Sequence, residues 1–394
     1  MILWIGFGLS LAALLVVSRR DLALSMAIAG LILAGFTLSP ASFLEVLWKT
    51  LSDPSVLLLS FIVGVIPMIG GVMEATGEMD RLVSNLKIGL RPFLALSPAL
   101  LGMLPMPGGA LLSAPVIERR ARNAPLELKA AANVWFRHVL LLVYPLGPSL
   151  IASAKIAHFD VYTVIPYMMI PFGLSLLLGY LFILRRVKPE PDVSPPFSLA
   201  GFALPLIVIL IAPILDVTLK GTVRLPYSEI GTALGVTASL VLGMSLGRFH
   251  PRRLGKVFVR MRPLKYAAII VAMFAFLNVF KVSGIPERIG EMTLPPLVLM
   301  TLIGPILGLI TGRIQAPISI IVPIFVTTYG PISPAGFAVT YFAVFLGYIV
   351  TPVHPCVSVS LEYFDTSLGA FCRRMAVPAL IGLAASALVG LFVL

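Results

Sequence analysis

Four short stretches hold the groups that could do chemistry, and each interrupts an apolar run. In T-G-R-I-Q-A-P (residues 311–317), Arg313 is the only charge between positions 294 and 328, with Gln315 two residues on. A guanidinium held near the middle of a bilayer must face a cavity and a partner, because burying it unpaired is costly. No acidic residue lies inside the neighbouring apolar runs, so the natural partner is a bound anion gripped by paired hydrogen bonds. In L-P-M-P-G-G (residues 104–109), Pro107, Gly108 and Gly109 would let a ligand reach the backbone, and a helix N-terminus there favours an anion. The same residues also suit a tight turn without a ligand. In T-P-V-H-P-C (residues 351–356), His354 stands between two prolines, where it could titrate in a transport cycle or bond a carbonyl freed by the break. Ser149, past Y-P-L-G-P-S (residues 144–149), and Cys356 could supply ligands or simply pack closely.

The remaining polar residues offer less. Arg137 and His138 lie about 10 Å into their helix by its rise per residue, and snorkelling to the interface explains them as well as function does. Two cysteines exclude a disulfide framework and a cysteine-rich metal site. G-M-S-L-G (residues 243–247) matches a nucleophile-elbow pattern but ends a membrane helix with no strand before it. No nucleophile is paired with a base. The chain is therefore expected not to be an enzyme, with no metal and no cofactor beyond a coupling ion, H+ or Na+.

With 59% hydrophobic and 12% charged residues among 394, and a mean hydropathy of +1.03, the chain is expected to be an all-α polytopic membrane protein. Its runs are continuous, unlike the alternating segments of a β-barrel. The net charge of +12 reflects where basic residues flank the spans, not nucleic-acid binding. The first apolar run has its charges after it, at Arg19 and Arg20, and is expected to be a retained helix.

The stretch 93–117 is long enough for one span, yet L-P-M-P-G-G at its centre would break helix hydrogen bonds where water cannot replace them. Arg91 before it and Arg119, Arg120 and Arg122 after it place both ends on the cytoplasmic side. The expected structure is a re-entrant hairpin. A second is expected over 294–328, where two full spans are the alternative; Arg313 would then be a loop charge.

Ten spans are expected. The first repeat, 1–184, has scaffold helices over 1–38, an amphipathic interfacial arm at 40–53, the hairpin 93–117 and a broken helix at 130–157. A polar, proline-rich cytoplasmic linker follows at 185–196. The second repeat, 197–394, has an arm at 252–262, the hairpin 294–328 and a broken helix at 334–361. Its sixth span covers about 197–214, which leaves Asp216, like Glu291, in an outer loop. The basic residues put both termini outside the cytoplasm if each hairpin returns to its own side. An offset of 207 pairs Gly77 with Gly284, Arg81 with Arg288, Pro98 with Pro305, Pro145 with Pro352, Pro148 with Pro355 and Ser149 with Cys356. Helices at matching positions run in opposite directions. The halves therefore read as inverted repeats of five transmembrane helices each, the signature of a secondary transporter.

This layout resembles the ion transporter superfamily, which includes the divalent-anion/sodium symporters, the gluconate permeases and the membrane subunits of TRAP systems. The L-P-M-P-G-G hairpin with the Y-P-L-G-P-S break is most similar to an uncharacterised membrane-protein family of that group. The resemblance implies an elevator: a transport domain of hairpins and broken helices slides against a dimeric scaffold through the two arms. The Ser-Asn-Thr motifs that bind sodium in the divalent-anion symporters are absent from both tips, so sodium coupling and dicarboxylate choice do not carry over. The expected function is secondary-active symport of a small organic anion, a carboxylate, by a homodimer in the plasma membrane, with the proton as one candidate coupling ion. The rivals are a cation/proton antiporter, which generally needs a membrane carboxylate that neither break offers, and an intramembrane enzyme.

Overall fold

The computed structural model describes residues 2–18, 20–106, 109–188, 197–292 and 294–394. Pro107, Gly108 and most of the expected linker, 189–196, lie outside the described residues. The described chain is helical throughout. The first half comprises α1 (Ile2–Val17), α2 (Leu22–Thr37), α3 (Pro40–Leu51), α4 (Pro54–Ala75), α5 (Glu78–Ser84), α6 (Leu90–Gly102), α7 (Gly109–Arg120), α8 (Leu126–Val139), α9 (Pro148–Ile156) and α10 (Val161–Leu184). The second half comprises α11 (Leu199–Thr222), α12 (Glu229–Leu246), α13 (Leu254–Met261), α14 (Pro263–Val282), α15 (Ile285–Gly290), α16 (Pro296–Thr311), α17 (Gln315–Tyr329), α18 (Pro334–Val350), α19 (Pro355–Tyr363) and α20 (Leu368–Val393).

Local chemistry sets the starts. Asp21, Asp53 and Asp160, and Ser39, Ser198, Ser333 and Ser367, accept a backbone N–H of the first turn. Proline occupies the first helical position of α3, α4, α9, α14, α18 and α19, where its missing donor is harmless. Elements recur at the offset of 207. α2, α5, α9 and α10 begin at residues 22, 78, 148 and 161, and α12, α15, α19 and α20 at 229, 285, 355 and 368. The left-handed residues recur too: Gly77 (φ 75°) with Gly284 (φ 73°), and His158 (φ 60°) with Asp365 (φ 47°).

Among the described residues, seven helices are long and apolar enough to cross a membrane: α4, α10, α11, α12, α14, the α18–α19 pair taken together, and α20. This is a multi-pass membrane protein. Three of the ten expected spans fall short of that length. α1 and α2 have 16 residues each, and the run expected at 130–157 is divided into α8 and α9 by residues 143–147 after a 3-10 turn. The arms of the expected hairpins are short as well. α6 and α7 have 13 and 12 residues; at 1.5 Å per residue each reaches about 20 Å, against a hydrocarbon core of about 30 Å.

Two groups of helices organise the molecule. α1, α2, α14, α4, α12 and α11 pack side by side in that order as a row. At its centre Ser60 Oγ donates to the carbonyl of Ala267 at 3.0 Å, a contact between residues 207 apart. The second group gathers α6, α7 and α8 with α16, α18 and α20, and α10 closes it. α3 leaves Leu44, Trp48 and Leu51 exposed, as an interfacial helix would. α13 is shorter than the arm expected there, and Arg262 (φ 50°) turns the chain directly into α14.

One expectation fails. The sixth span continues to Thr222, so Asp216 is not in an outer loop; it is buried inside α11, 1% exposed, and accepts the Tyr162 hydroxyl at 2.8 Å. Apolar content alone misjudged this end, because the charges at Asp216 and Lys220 pair with each other and with Asp160 within the fold.

Candidate functional site

Both hairpin-like tips and both helix breaks face one cavity of about 360 Å³. Four helices, α7, α9, α17 and α19, begin at its wall, where Gly109, Pro148, Gln315 and Pro355 line it. Their first amides have no intrahelical partners. The breaks are of the expected kind: two prolines three residues apart stop α8 and α18 and restart the chain as α9 and α19. Of the residues singled out from sequence, Gly109, Ser149, Arg313, Gln315, His354 and Cys356 all line this cavity. Pro107 and Gly108 lie outside the described residues.

Arg313 follows Gly312 (φ 60°), which caps α16 in the left-handed region and packs against the backbone of Val353 and His354. The second tip is thereby fixed to the second break. The Arg313 backbone N–H donates to Thr311 Oγ1 at 3.3 Å, while its guanidinium has no ion pair or hydrogen bond among the described residues.

Sequence reasoning undervalued Arg137 and His138. Neither reaches an aqueous interface by snorkelling. Arg137 is 4% exposed and His138 3%, and both line the cavity. The Arg137 backbone and side chain lie against Gly102 at the end of α6, and its guanidinium lies against Gly109 at the start of α7. A Cβ at either glycine would collide with it. The room at Gly109 therefore serves Arg137, not a ligand approaching the backbone. Arg137 Nη1 donates to Ser113 Oγ at 3.3 Å, fixing the group within the first tip.

His138 Nδ1 sits 2.6 Å from the carbonyl of Val134, so that nitrogen carries a proton. Its Nε2 is 3.0 Å from His354 Nε2. With His138 Nε2 bare, His354 Nε2 is the donor and His354 Nδ1 is left as a lone pair. That atom is buried with no partner among the described residues. The Tyr348 ring packs on both imidazoles, at 5.5 Å and 4.3 Å between centroids. The Cys356 thiol completes a set of three donor atoms within 4.8 Å of one another. Arg137 lies beside that thiol, and among the described residues no carboxylate lines the cavity to offset a bound cation. The set reads as a hydrogen-bonded histidine pair, not a metal centre.

The row of helices supplies the far wall through Leu22, Val63, Arg262, Lys265 and Tyr266. Lys265 Nζ meets Asp21 Oδ2 at 2.9 Å. Burial alone would raise the Asp21 carboxyl, but the Leu24 amide and Lys265 outweigh it and hold the group below the usual carboxylate range. Counting both walls, Arg137, Arg313, Arg262 and Lys265 face the cavity and, among the described residues, no acidic side chain does. The offset of 207 could not have revealed Arg137 and His138, because their counterparts are Val344 and Phe345.

A family model described as a protein of unknown function (DUF401) matches residues 6–393, and the chain belongs to that family. None of the curated proteins matches it in sequence. Among solved structures it is similar to the YdaH transporter of Alcanivorax borkumensis, whose crystal structure is described as having an unusual topology. The TM-score is 0.56 and the identity 18%, covering 94% of this chain and 96% of that one. At that identity the likeness shows a shared fold.

Proposed function

We propose that this member of the DUF401 family is a secondary-active transporter that carries a small organic anion, a carboxylate, across the plasma membrane. The observation that carries the reading is the charge of the cavity: four cationic side chains, of which Lys265 is paired with Asp21, four helix N-termini and, among the described residues, no lining carboxylate. A volume of about 360 Å³ suits a small metabolite. Arg313, which has no ion pair or side-chain hydrogen bond among the described residues, grips the carboxylate, with Gln315, Ser149 and the amide at Cys356 around it. Arg137 stiffens the first tip and adds charge.

The architecture follows from the same offset. Residues 1–184 and 197–394 form inverted repeats, both termini lie outside the cytoplasm, and α6–α7 and α16–α17 are re-entrant. The row α1–α2–α14–α4–α12–α11 is the scaffold of a homodimer. The tips and broken helices form the transport domain, which slides against that row as an elevator, and α3 and α13 are its arms. The His138–His354 pair carries the coupled proton. An imidazolium among two arginines is unfavourable until an anion arrives, so proton and anion bind together. This is symport by electrostatic linkage. The rival cation/proton antiporter needs a carboxylate in the cavity, and none lines it among the described residues.

The test is a thermal-shift screen of the purified protein against organic acids, organic cations and alkali cations. A ligand bound only by the folded state raises the melting temperature. Stabilisation by one class of organic acids supports the reading; stabilisation by cations alone sinks it.

A further inference from the structure

Polar links tie α9 and α10 to the helix row on one face, and the offset of 207 shows where their counterparts would be. Lys155, at the end of α9, meets Glu229 Oε1 of α12 at 2.6 Å, and the same oxygen accepts Ser55 Oγ of α4. Lys220 of α11 meets Asp160 at 3.0 Å, Tyr162 donates to Asp216 of α11 at 2.8 Å, and Lys281 of α14 lies 3.3 Å from His158. Of these groups, Lys155, His158, Asp160, Lys220 and Glu229 line a side cavity of about 250 Å³. On this face the two groups of helices are shut together.

The opposite face differs. Adding or subtracting 207 turns Lys155 into Glu362, Glu229 into Leu22 and Ser55 into Arg262. Leu22 and Arg262 do not close on the end of α19; they line the main cavity. Glu362 and Arg262 are both exposed, and neither has an ion pair among the described residues. The transport body carries the base and the scaffold the acid on the shut face. On the open face the transport body carries the acid, Glu362, and the scaffold the base, Arg262.

We propose that Lys155–Glu229 and Glu362–Arg262 are alternating latches. The first holds the molecule shut on the α9 side in the state seen here. The second forms on the α19 side once the transport body has moved and the first has parted. Asp365, the counterpart of His158, then arrives at Arg260, which is now paired with Glu74, the counterpart of Lys281. Opposite charges serve both ends, so neither latch can pair with the wrong partner as the body travels. The inference rests on the elevator reading above.

The experiment uses the full chain with cysteines at all four positions, Lys155→Cys, Glu229→Cys, Arg262→Cys and Glu362→Cys, reconstituted in liposomes. A short bifunctional thiol reagent is added, and linked peptides are identified by mass spectrometry, so Cys356 and Cys372 are not confused with them. Both the 155–229 and the 262–362 links are expected, and never in one molecule. In the Arg262→Cys/Glu362→Cys protein alone, adding Glu229→Ala releases the first latch and raises the 262–362 yield about fivefold, as losing a modest ion pair would. The two double variants also serve if the quadruple variant does not fold. Absence of the 262–362 link in every background, or molecules bearing both links, overturns the proposal. Stabilisation by organic acids needs no motion. If it persists while the links fail, the latches are wrong and the anion reading stands; the reverse pattern removes the anion reading and leaves the latches.

Discussion

Replacing Arg313 with alanine should weaken anion binding without unfolding the protein. The guanidinium lines the cavity, is only partly buried and has no protein partner among the described residues, so its removal strands no countercharge. What is lost is a charge-assisted, two-point contact with a carboxylate, worth roughly 1.5–3 kcal/mol. That corresponds to about a ten- to hundredfold rise in Kd. Stability should change by no more than about 0.5 kcal/mol, as for a substitution outside packed features. Arg313→Lys should restore little, because an ammonium cannot reproduce the planar fork. The assay is calorimetric titration of wild type, Arg313→Ala and Arg313→Lys with the organic acid that most stabilises the wild type, alongside thermal melts. Wild-type affinity in the alanine variant would refute the reasoning and return Arg313 to a loop.

Gly102→Ala should destabilise the protein by roughly 1–3 kcal/mol, as overpacking does, because the methyl collides with the Arg137 backbone carbonyl. Gly173→Ala, which meets nothing within 4 Å, is the control in the same denaturation experiment, and equal stability in both variants would count against the wedge. His138→Gln and His354→Gln should each abolish uptake driven by a pH gradient in proteoliposomes while leaving exchange of the anion intact; persistent proton-driven uptake would remove the histidine pair from coupling. Cysteines at Arg119 and Arg248 should resist an impermeant thiol reagent outside intact cells while one at Glu291 reacts, and labelling at 119 from outside would overturn the re-entrant reading of α6–α7.

Much of this was legible before folding because it is local. Two prolines three residues apart stop a helix wherever they occur, so the breaks at 145–148 and 352–355 fall where the sequence puts them. The register of 207 survives in helix starts and left-handed residues because caps are written in single side chains. Arg313 could be picked out because nothing charged surrounds it in sequence. Arg137 could not, because its role depends on Gly102 and Gly109, which reach it only when α6, α7 and α8 pack together. The His138–His354 pair joins residues 216 apart, a contact that no periodicity encodes. Asp216 was misplaced for the related reason that its partner Tyr162, and Asp160 which meets its helix neighbour Lys220, reach it only in the packed fold.

The four helix starts around the cavity bear on what the empty protein can do. Each contributes about half a positive charge, on top of the arginines that face the same space. An unfilled site is thus a concentrated positive body, and dragging it past the apolar row would take charge out of water without compensation. An anion cancels that charge; a proton arriving with it restores only part. In the elevator proposed above, cargo therefore eases movement, and an idle carrier crosses slowly instead of leaking. Exchange of loaded sites should then outrun the return of empty ones, so that the return of the empty site, not capture, sets the pace of net flow.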